Sequence, residues 1–297
     1  MDDEVILIGR VSRYIRIAKA IIRALRRAGV PKFFSRYSNR VYDAWKHLIL
    51  LALRQLEGKS YRRFIEWLGS CRPIFRLLDL RRMPHYTTLQ KFAARVPSGL
   101  LDRVLRGFAS KNGRVEASLI LGIDASGFRP SKASSYYTRS LRPKKVRRYV
   151  KCTLAVDLQS QLVCGFKGRR LARHDVVDFR PVLEKAQPEP GFVVVADKGY
   201  DAEHVHEYVR EELGGYAVIP PRHLEVPAWR TRGRYRKEMK RGYSKKLYNQ
   251  RSKDETVFSV VKRLMGEHLS SRLVRTQNRE LALRLIAYNA HRTTNRP

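Results

Sequence analysis

The sequence predicts an α/β protein: an all-helical region over residues 1–113, then a domain over 114–297 built on a mixed sheet. Three observations point there. Apolar residues keep a helical period in the first part and change to short, strand-length runs near Arg114. Two such runs, Ser118 to Ile123 and Phe192 to Ala196, each lead into an aspartate, Asp124 and Asp197. Between them lie two strand-like stretches that turn near Gln159-Ser160, the pattern of a hairpin.

From the start of the chain, Ile15, Ala18, Ile22 and Leu25 form one side of a helix, with Arg13, Arg16, Lys19, Arg23 and Arg26 on the other. No acid stands between Glu4 and Asp43, so the basic side reads as a phosphate-tracking arm; a solvated helix face is the plainer alternative. Trp45, Leu48, Ile49, Ala52, Leu53 and Leu56 keep the period of a helix over about 41–58. Ser60 is placed to cap a short helix through Phe64, Ile65 and Leu68, and Thr87 or Thr88 one that carries Leu89, Phe92 and Ala93. A helix through Leu100, Val104, Leu105 and Phe108 ends near Asn112-Gly113. Short helices in this order are compatible with a helix-turn-helix unit, with Thr88, Gln90 and Lys91 near the groove-facing end. Helical hairpins that bind nothing share that pattern.

The hairpin strands are expected from Tyr149 to Leu158 and from Gln161 to Lys167. Asp175 can cap a helix that carries Val176, Phe179, Val182 and Leu183. After the run to Ala196, a helix from about Ala202 to Leu213 precedes a strand from Tyr216 to Ile219. One helix opens near Ser252, and a last one covers about Asn278 to His291. Three strands, helix, strand, helix, strand and then helices is similar to the element order of a ribonuclease H-like fold.

The formal net charge of +35 over 297 residues is the strongest compositional fact. Self-repulsion of that size opposes a compact state without a polyanionic partner, and nucleic acid fits better than an anionic membrane surface. No apolar run approaches the roughly 18 to 20 residues of a spanning helix. The opening Met-Asp-Asp-Glu lacks the basic start of a secretory signal. Cys71, Cys152 and Cys164 are few, odd in number and not spaced as a metal knuckle, which suits a reducing, intracellular setting and gives zinc no support. Arg129 to Lys151 and Trp229 to Lys246 are dense in Lys and Arg interleaved with tyrosines, a mixture suited to phosphate contact and base stacking, or to a solvated loop.

An acid at the mouth of a buried strand is costly unless it is paired, hydrogen-bonded or metal-bound, which singles out Asp124 and Asp197. Tyr248, Arg251, Glu255 and Lys262 recur at steps that return to one side of a helix. That face presents a phenol, a guanidinium, a carboxylate and an ammonium in a row. Ser252 and Glu255 equally fit a capping box, in which Glu255 only satisfies a backbone N–H. Carboxylates without clustered Cys or His favour hard cations, Mg²⁺ or Mn²⁺. Asp157 is read as a solvated turn residue, and Asp175 and Asp201 as helix caps. Asp254 lies about 100° around the helix from Glu255 and is set aside. His174, His204 and His206 have no partner at ligand spacing and read as surface or packing residues.

Tyr248-(2)-Arg251-(3)-Glu255-(6)-Lys262 matches the signature of bacterial and archaeal insertion-sequence DDE transposases, which the chain resembles from about Ser118 to Arg292. Asp197-Lys-Gly-Tyr-Asp is similar to the segment around their second aspartate, and Gly-Ile-Asp124-Ala-Ser-Gly to that around the first. Ser60-Tyr-Arg-Arg and Pro84-His-Tyr-Thr-Thr-Leu are more loosely similar to family N-terminal regions. The resemblance implies a ribonuclease H-like catalytic domain in which Asp124, Asp197 and Glu255 bind two divalent ions, about 3.5 to 4 Å apart in such sites. It implies strand cleavage at element ends and attack of a 3′-hydroxyl on target DNA. Tyr248, Arg251 and Lys262 would hold DNA near the cleaved end. The expected partner is double-stranded DNA, as terminal inverted repeats and target, bound by a homodimer in the nucleoid-associated cytoplasm. Trp229 is expected to stack on bases as the end opens, and Arg147 and Arg148 to contact DNA. Some relatives carry a long strand-rich insertion before the signature helix; residues 221–247 are too few for a full domain of that kind, which leaves the choice between a hairpin and another cleavage route open.

Overall fold

The computed structural model describes residues 12–34, 40–109, 120–130, 149–170 and 173–295. The chain opens with helices α1 (Arg13–Arg27), α2 (Ala44–Leu56), α3 (Tyr61–Gly69), α4 (Arg72–Leu77), α5 (Tyr86–Arg95) and α6 (Ser98–Ala109). α1 buries Ile17, Ala18, Ile21, Ala24 and Leu25, while Arg13, Arg16, Lys19, Arg23 and Arg26 face solvent. The basic face is therefore exposed as predicted, but Ile15 and Ile22 are only half-buried, and the helix packs on α6 instead of standing free. That crossing is close: a Cβ on Gly107 of α6 would lie 2.4 Å from the carbonyl oxygen of Ala24. Ser60 caps α3 as expected, accepting from the N–H of Arg63, and Asp43 does the same for α2 through Lys46. α5 starts before Thr87 and Thr88; His85 precedes it and turns its ring to the Thr87 hydroxyl instead of capping.

The sheet uses β1 (Ile120–Pro130), β2 (Val150–Asp157), β3 (Leu162–Arg169), β4 (Val193–Ala196) and β5 (Tyr216–Val218). Helix α7 (Val176–Ala186) joins β3 to β4, and α8 (Glu203–Glu207), continued by a π turn over Tyr208–Glu212, joins β4 to β5. The strand order is β3-β2-β1-β4-β5, antiparallel from β1 through β3 and parallel from β1 through β5, which is the predicted ribonuclease H-like arrangement. α9 (Arg234–Arg241), α10 (Lys245–Tyr248), α11 (Ser252–Met265), the short β6 (His268–Leu269) and α12 (Val274–Thr294) follow.

β1 does not stop at Ile123 as predicted. Pairing with β4 ends at Ile123 opposite Ala196, but β2 stays paired as far as Phe128 opposite Val150, and β6 takes the far end at Arg129 and Pro130. One sheet face, with Phe128, Leu154, Val156 and Val195, shares a hydrophobic cluster with α1–α6, α11 and α12. The other, with Leu121, Ile123, Val194 and Ala196, packs on Phe179, Val182 and Leu183 of α7 and Val205 of α8. α12 also closes the open edge of β3: the Asn289 amide accepts from the Val163 N–H at 2.9 Å and donates to its carbonyl at 2.8 Å. Cys152 stands opposite Gly168, not Cys164, and all three cysteines are free. Among the described residues no helix is long and apolar enough to cross a membrane.

Candidate active site

Because β1 and β4 part after Ile123 and Ala196, Asp124 and Asp197 leave two adjacent strands side by side. Ile123 and Ala196 point to the α7 side, so strand alternation turns both aspartates to the opposite face, where α11 packs. A nearby backbone N–H fixes each carboxylate: Ala125 donates to Asp124 Oδ1 at 2.8 Å, and Gly199 to Asp197 Oδ1 at 2.8 Å. The second oxygen of each takes no hydrogen bond from the described residues. Burial raises the Asp124 carboxyl above the usual range; the Ala125 N–H and Arg251 pull it back, and Asp197 and Glu255 add to the rise.

The signature residues do not share one unbroken helix. α10 ends at Tyr248, a 3₁₀ turn covers Asn249–Arg251, and α11 begins at Ser252. Tyr248 meets Tyr243 edge-on with ring centroids 5.8 Å apart, and the Lys262 ammonium lies 5.6 Å from the Phe128 ring on β1. The capping box does not form: Ser252 Oγ donates to the Asn249 carbonyl, and Glu255 accepts from Arg251 at 3.0 Å. The Glu255 side chain is 61% exposed. Burial alone would lower the Arg251 guanidinium, but Tyr248, Asp124, Glu255 and Asp197 raise it overall, so this cation stands among the predicted acids.

Sequence reasoning missed the neighbouring acid. Asp254 does lie around the helix from Glu255, and that turn points it inward. The buried stripe of α11 is Asp254, Val257, Phe258, Val261 and Met265, so an acid occupies a position with the periodicity of the core. Its spacing to Val257, Phe258 and Val261 was the available signal. Asp254 has no exposed surface, and neither carboxylate oxygen has a hydrogen-bond partner among the described residues. It fills the room left by the missing side chain of Gly122: a Cβ there would come 2.1 Å from Asp254 Oδ2. Gly122 precedes Asp124 by two residues on β1, so both belong to the same sheet face. Burial, then the Asp124 charge, raises the Asp254 carboxyl to about 8 against the pull of Arg251.

The structure corrects the expectations for Asp175, Asp201 and Asp157. Asp175 does not cap α7; it pairs with Lys151 at 2.5 Å. Asp201 is buried and binds both Nε and Nη2 of Arg236, at 2.7 and 2.8 Å, instead of capping α8. Asp157 is buried at its turn, accepting from the Gln159 N–H, and not solvated. Residues 221–247 alternate irregular chain with a 3₁₀ turn at Ala228–Arg230, α9 and the start of α10: Glu203 receives the N–H groups of Tyr235 and Arg236 at the start of α9, and Lys240 donates to the carbonyls of His223 and Val226. Trp229 is 73% exposed, with the Arg230 guanidinium 4.6 Å from its ring. Arg147 and Arg148 lie outside the described residues.

Among the described residues, no group of three or more His, Cys, Asp and Glu side chains is arranged to hold a metal ion. The donor set nevertheless fits a hard divalent cation. It consists of carboxylate oxygens, with the second oxygens of Asp124 and Asp197 open and both oxygens of buried Asp254 unpartnered.

The transposase DDE domain family matches residues 117–290, more than half of the chain and the span that holds all of these acids. A comparison with curated proteins finds no match. A solved structure, the cryo-EM structure of a piggyBac transposase synaptic complex with hairpin DNA, is similar at 11% identity and a TM-score of 0.42. That likeness covers 94% of this chain and 74% of that one, and is too slight to carry a functional argument.

Proposed function

The chain belongs to the transposase DDE domain family, and on that premise we propose that it cuts DNA at the ends of a mobile element and joins the freed 3′-hydroxyls to target DNA. The supporting observation is the pairing of Asp124 and Asp197 at the parting of β1 and β4, on the face where α11 packs. Asp124, Asp197 and Glu255 would hold two Mg²⁺ or Mn²⁺ ions, which when bound supply Lewis acidity at the scissile phosphate and a more acidic attacking hydroxyl. Arg251, which holds Glu255 at 3.0 Å, would exchange that contact for a bidentate grip on a phosphate and free Glu255 to turn toward Asp124. Lys262 adds a point charge and Tyr248 a hydroxyl on the same approach.

Exposed Trp229 offers a stacking surface for a base beside the cut, and unchanged end binding and cleavage by Trp229→Ala would remove that role. We assign DNA contact to the basic face of α1, to Gln90 and Lys91, which are exposed on α5 beside half-buried Thr88, and to Arg147 and Arg148. In this reading residues 1–113 recognise the double-stranded ends, residues 114–297 carry out the chemistry, and two copies meet on paired ends in the nucleoid.

The test incubates the protein with Mn²⁺ or Mg²⁺ and DNA carrying candidate terminal repeats, beside Asp124→Asn. Joined products are the expected result. Cuts without joining would favour a stand-alone nuclease of this fold, and equal cutting by the substituted protein would overturn the site.

A further inference from the structure

α11 presents a carboxylate where its docking on the sheet calls for an apolar side chain. Asp254 is on the same helix face as Val257, Phe258 and Val261, is fully buried, and finds no hydrogen-bond donor for either oxygen among the described residues. A carboxylate is not left in an apolar layer without a partner at small cost. Elsewhere this chain meets that cost with a cation: Asp178, equally buried, takes Arg169 at 2.6 Å, and Asp201 takes Arg236 at 2.7 Å. The cation nearest in kind, Arg251, gives its hydrogen bond to Glu255 instead. The backbone keeps the space open, because any Cβ at residue 122 would collide with the Asp254 carboxylate. That carboxylate lies on the same face as Asp124, two residues or roughly 7 Å along β1.

We propose that Asp254 is a further divalent-cation ligand of this site, adding its oxygens from the helix side to those of Asp124. The proposal rests on the reading of Asp124 and Asp197 as metal-binding, and it extends the oxygen set to a residue outside the signature. The unpartnered carboxylate then has its counter-charge in the loaded protein and lacks it in the metal-free one.

The experiment titrates Mn²⁺ into the full-length protein, following free Mn²⁺ by electron paramagnetic resonance, and records melting without added metal. Asp254→Asn is isosteric and loses no protein hydrogen bond. Its Mn²⁺ affinity is expected to fall about 10- to 100-fold, as when a residue supporting a metal site is lost, with no fall in the metal-free melting temperature. Gly122→Ala, which displaces the carboxylate while keeping Asp254, is expected to weaken Mn²⁺ binding as well. Asp124→Asn separates the two levels. If Asp124→Asn loses Mn²⁺ while Asp254→Asn binds as the parent does, the role of Asp254 is refuted and the site reading survives. If the parent binds no Mn²⁺, or Asp124→Asn binds as well as the parent, the site reading fails and takes the proposal with it. A metal-free Asp254→Asn that melts lower or does not fold would show that the carboxylate has a structural partner, which also overturns the proposal.

Discussion

Around α8 and α9, three acids are each matched with donors. Asp201 receives Arg236 through two nitrogens and the Arg222 N–H at 2.9 Å, Glu203 receives the first N–H groups of α9, and Glu238 receives Arg210 at 2.8 and 3.0 Å. At the parting of β1 and β4 the matching stops: among the described residues Asp124 and Asp197 each take one backbone N–H, and Asp254 takes none. Burial acts on both regions in the same direction. It pushes Asp201 up, but the hydrogen bonds of Arg236 and Arg222 bring that carboxyl below its usual range. Burial, reinforced by Asp124 and Glu255 and only partly opposed by Arg251, takes Asp254 up to about 8. Acids that hold the fold together are distinguished from acids left available by their partners, not by their depth.

That contrast is open to direct attack. The largest stability effect is expected from Arg236→Ala, which leaves Asp201 buried without its cation, held only by the Arg222 N–H, and should cost about 3–5 kcal/mol in denaturant unfolding. A loss well under 1 kcal/mol would mean that Asp201 is not held as described. Next comes His206 on α8, which has no exposed surface and, among the described residues, no partner for either ring nitrogen. Burial, helped by Arg210 and opposed by Asp201 and Glu203, lowers it to about 4 from its ordinary 6.5. The folded form therefore binds its proton more weakly than the unfolded form. Its contribution is present above pH 6.5 and is lost as pH falls toward 4, on the order of 3 kcal/mol in all. Denaturation midpoints at pH 7.5, 5.5 and 4.5 should fall less steeply for His206→Leu than for the parent; parallel curves would contradict this. The smallest stability effect belongs to Arg251→Ala. Its pairing with exposed Glu255 contributes only about 0.3–0.5 kcal/mol, so melting should barely move while binding to a duplex end weakens. A large melting shift with intact DNA binding would reverse the assignment.

Much of this arrangement was legible in the sequence because it depends on local pattern. The β2–β3 hairpin, the Ser60 cap, the apolar run into Asp197 and the element order follow from period and turn chemistry. The length of β1 was not legible, because its far half is set by β2 and by β6, more than a hundred residues later. Nor was the partner of Asp201: Arg236 is distant in the chain, while an acid before a helix reads locally as a cap. The break between α10 and α11 hides in a sequence whose residue spacing suits continuous helix. Asp254 is a different failure, since its place in the α11 stripe was visible but was judged only by its angle to Glu255.

Asp197 and Asp201 share one short segment and differ mainly in whether an arginine holds them, so Mn²⁺-dependent cleavage of a terminal-repeat duplex by Asp197→Asn beside Asp201→Asn is the most direct measurement. At a temperature where both variants are folded, Asp197→Asn should cut at least roughly 10²- to 10³-fold more slowly than the parent. Asp201→Asn, though less stable, should cut at nearly the parental rate per folded molecule. Parental cutting by Asp197→Asn, or a folded Asp201→Asn that no longer cuts, would contradict the assignment of the unpaired acids to the chemistry.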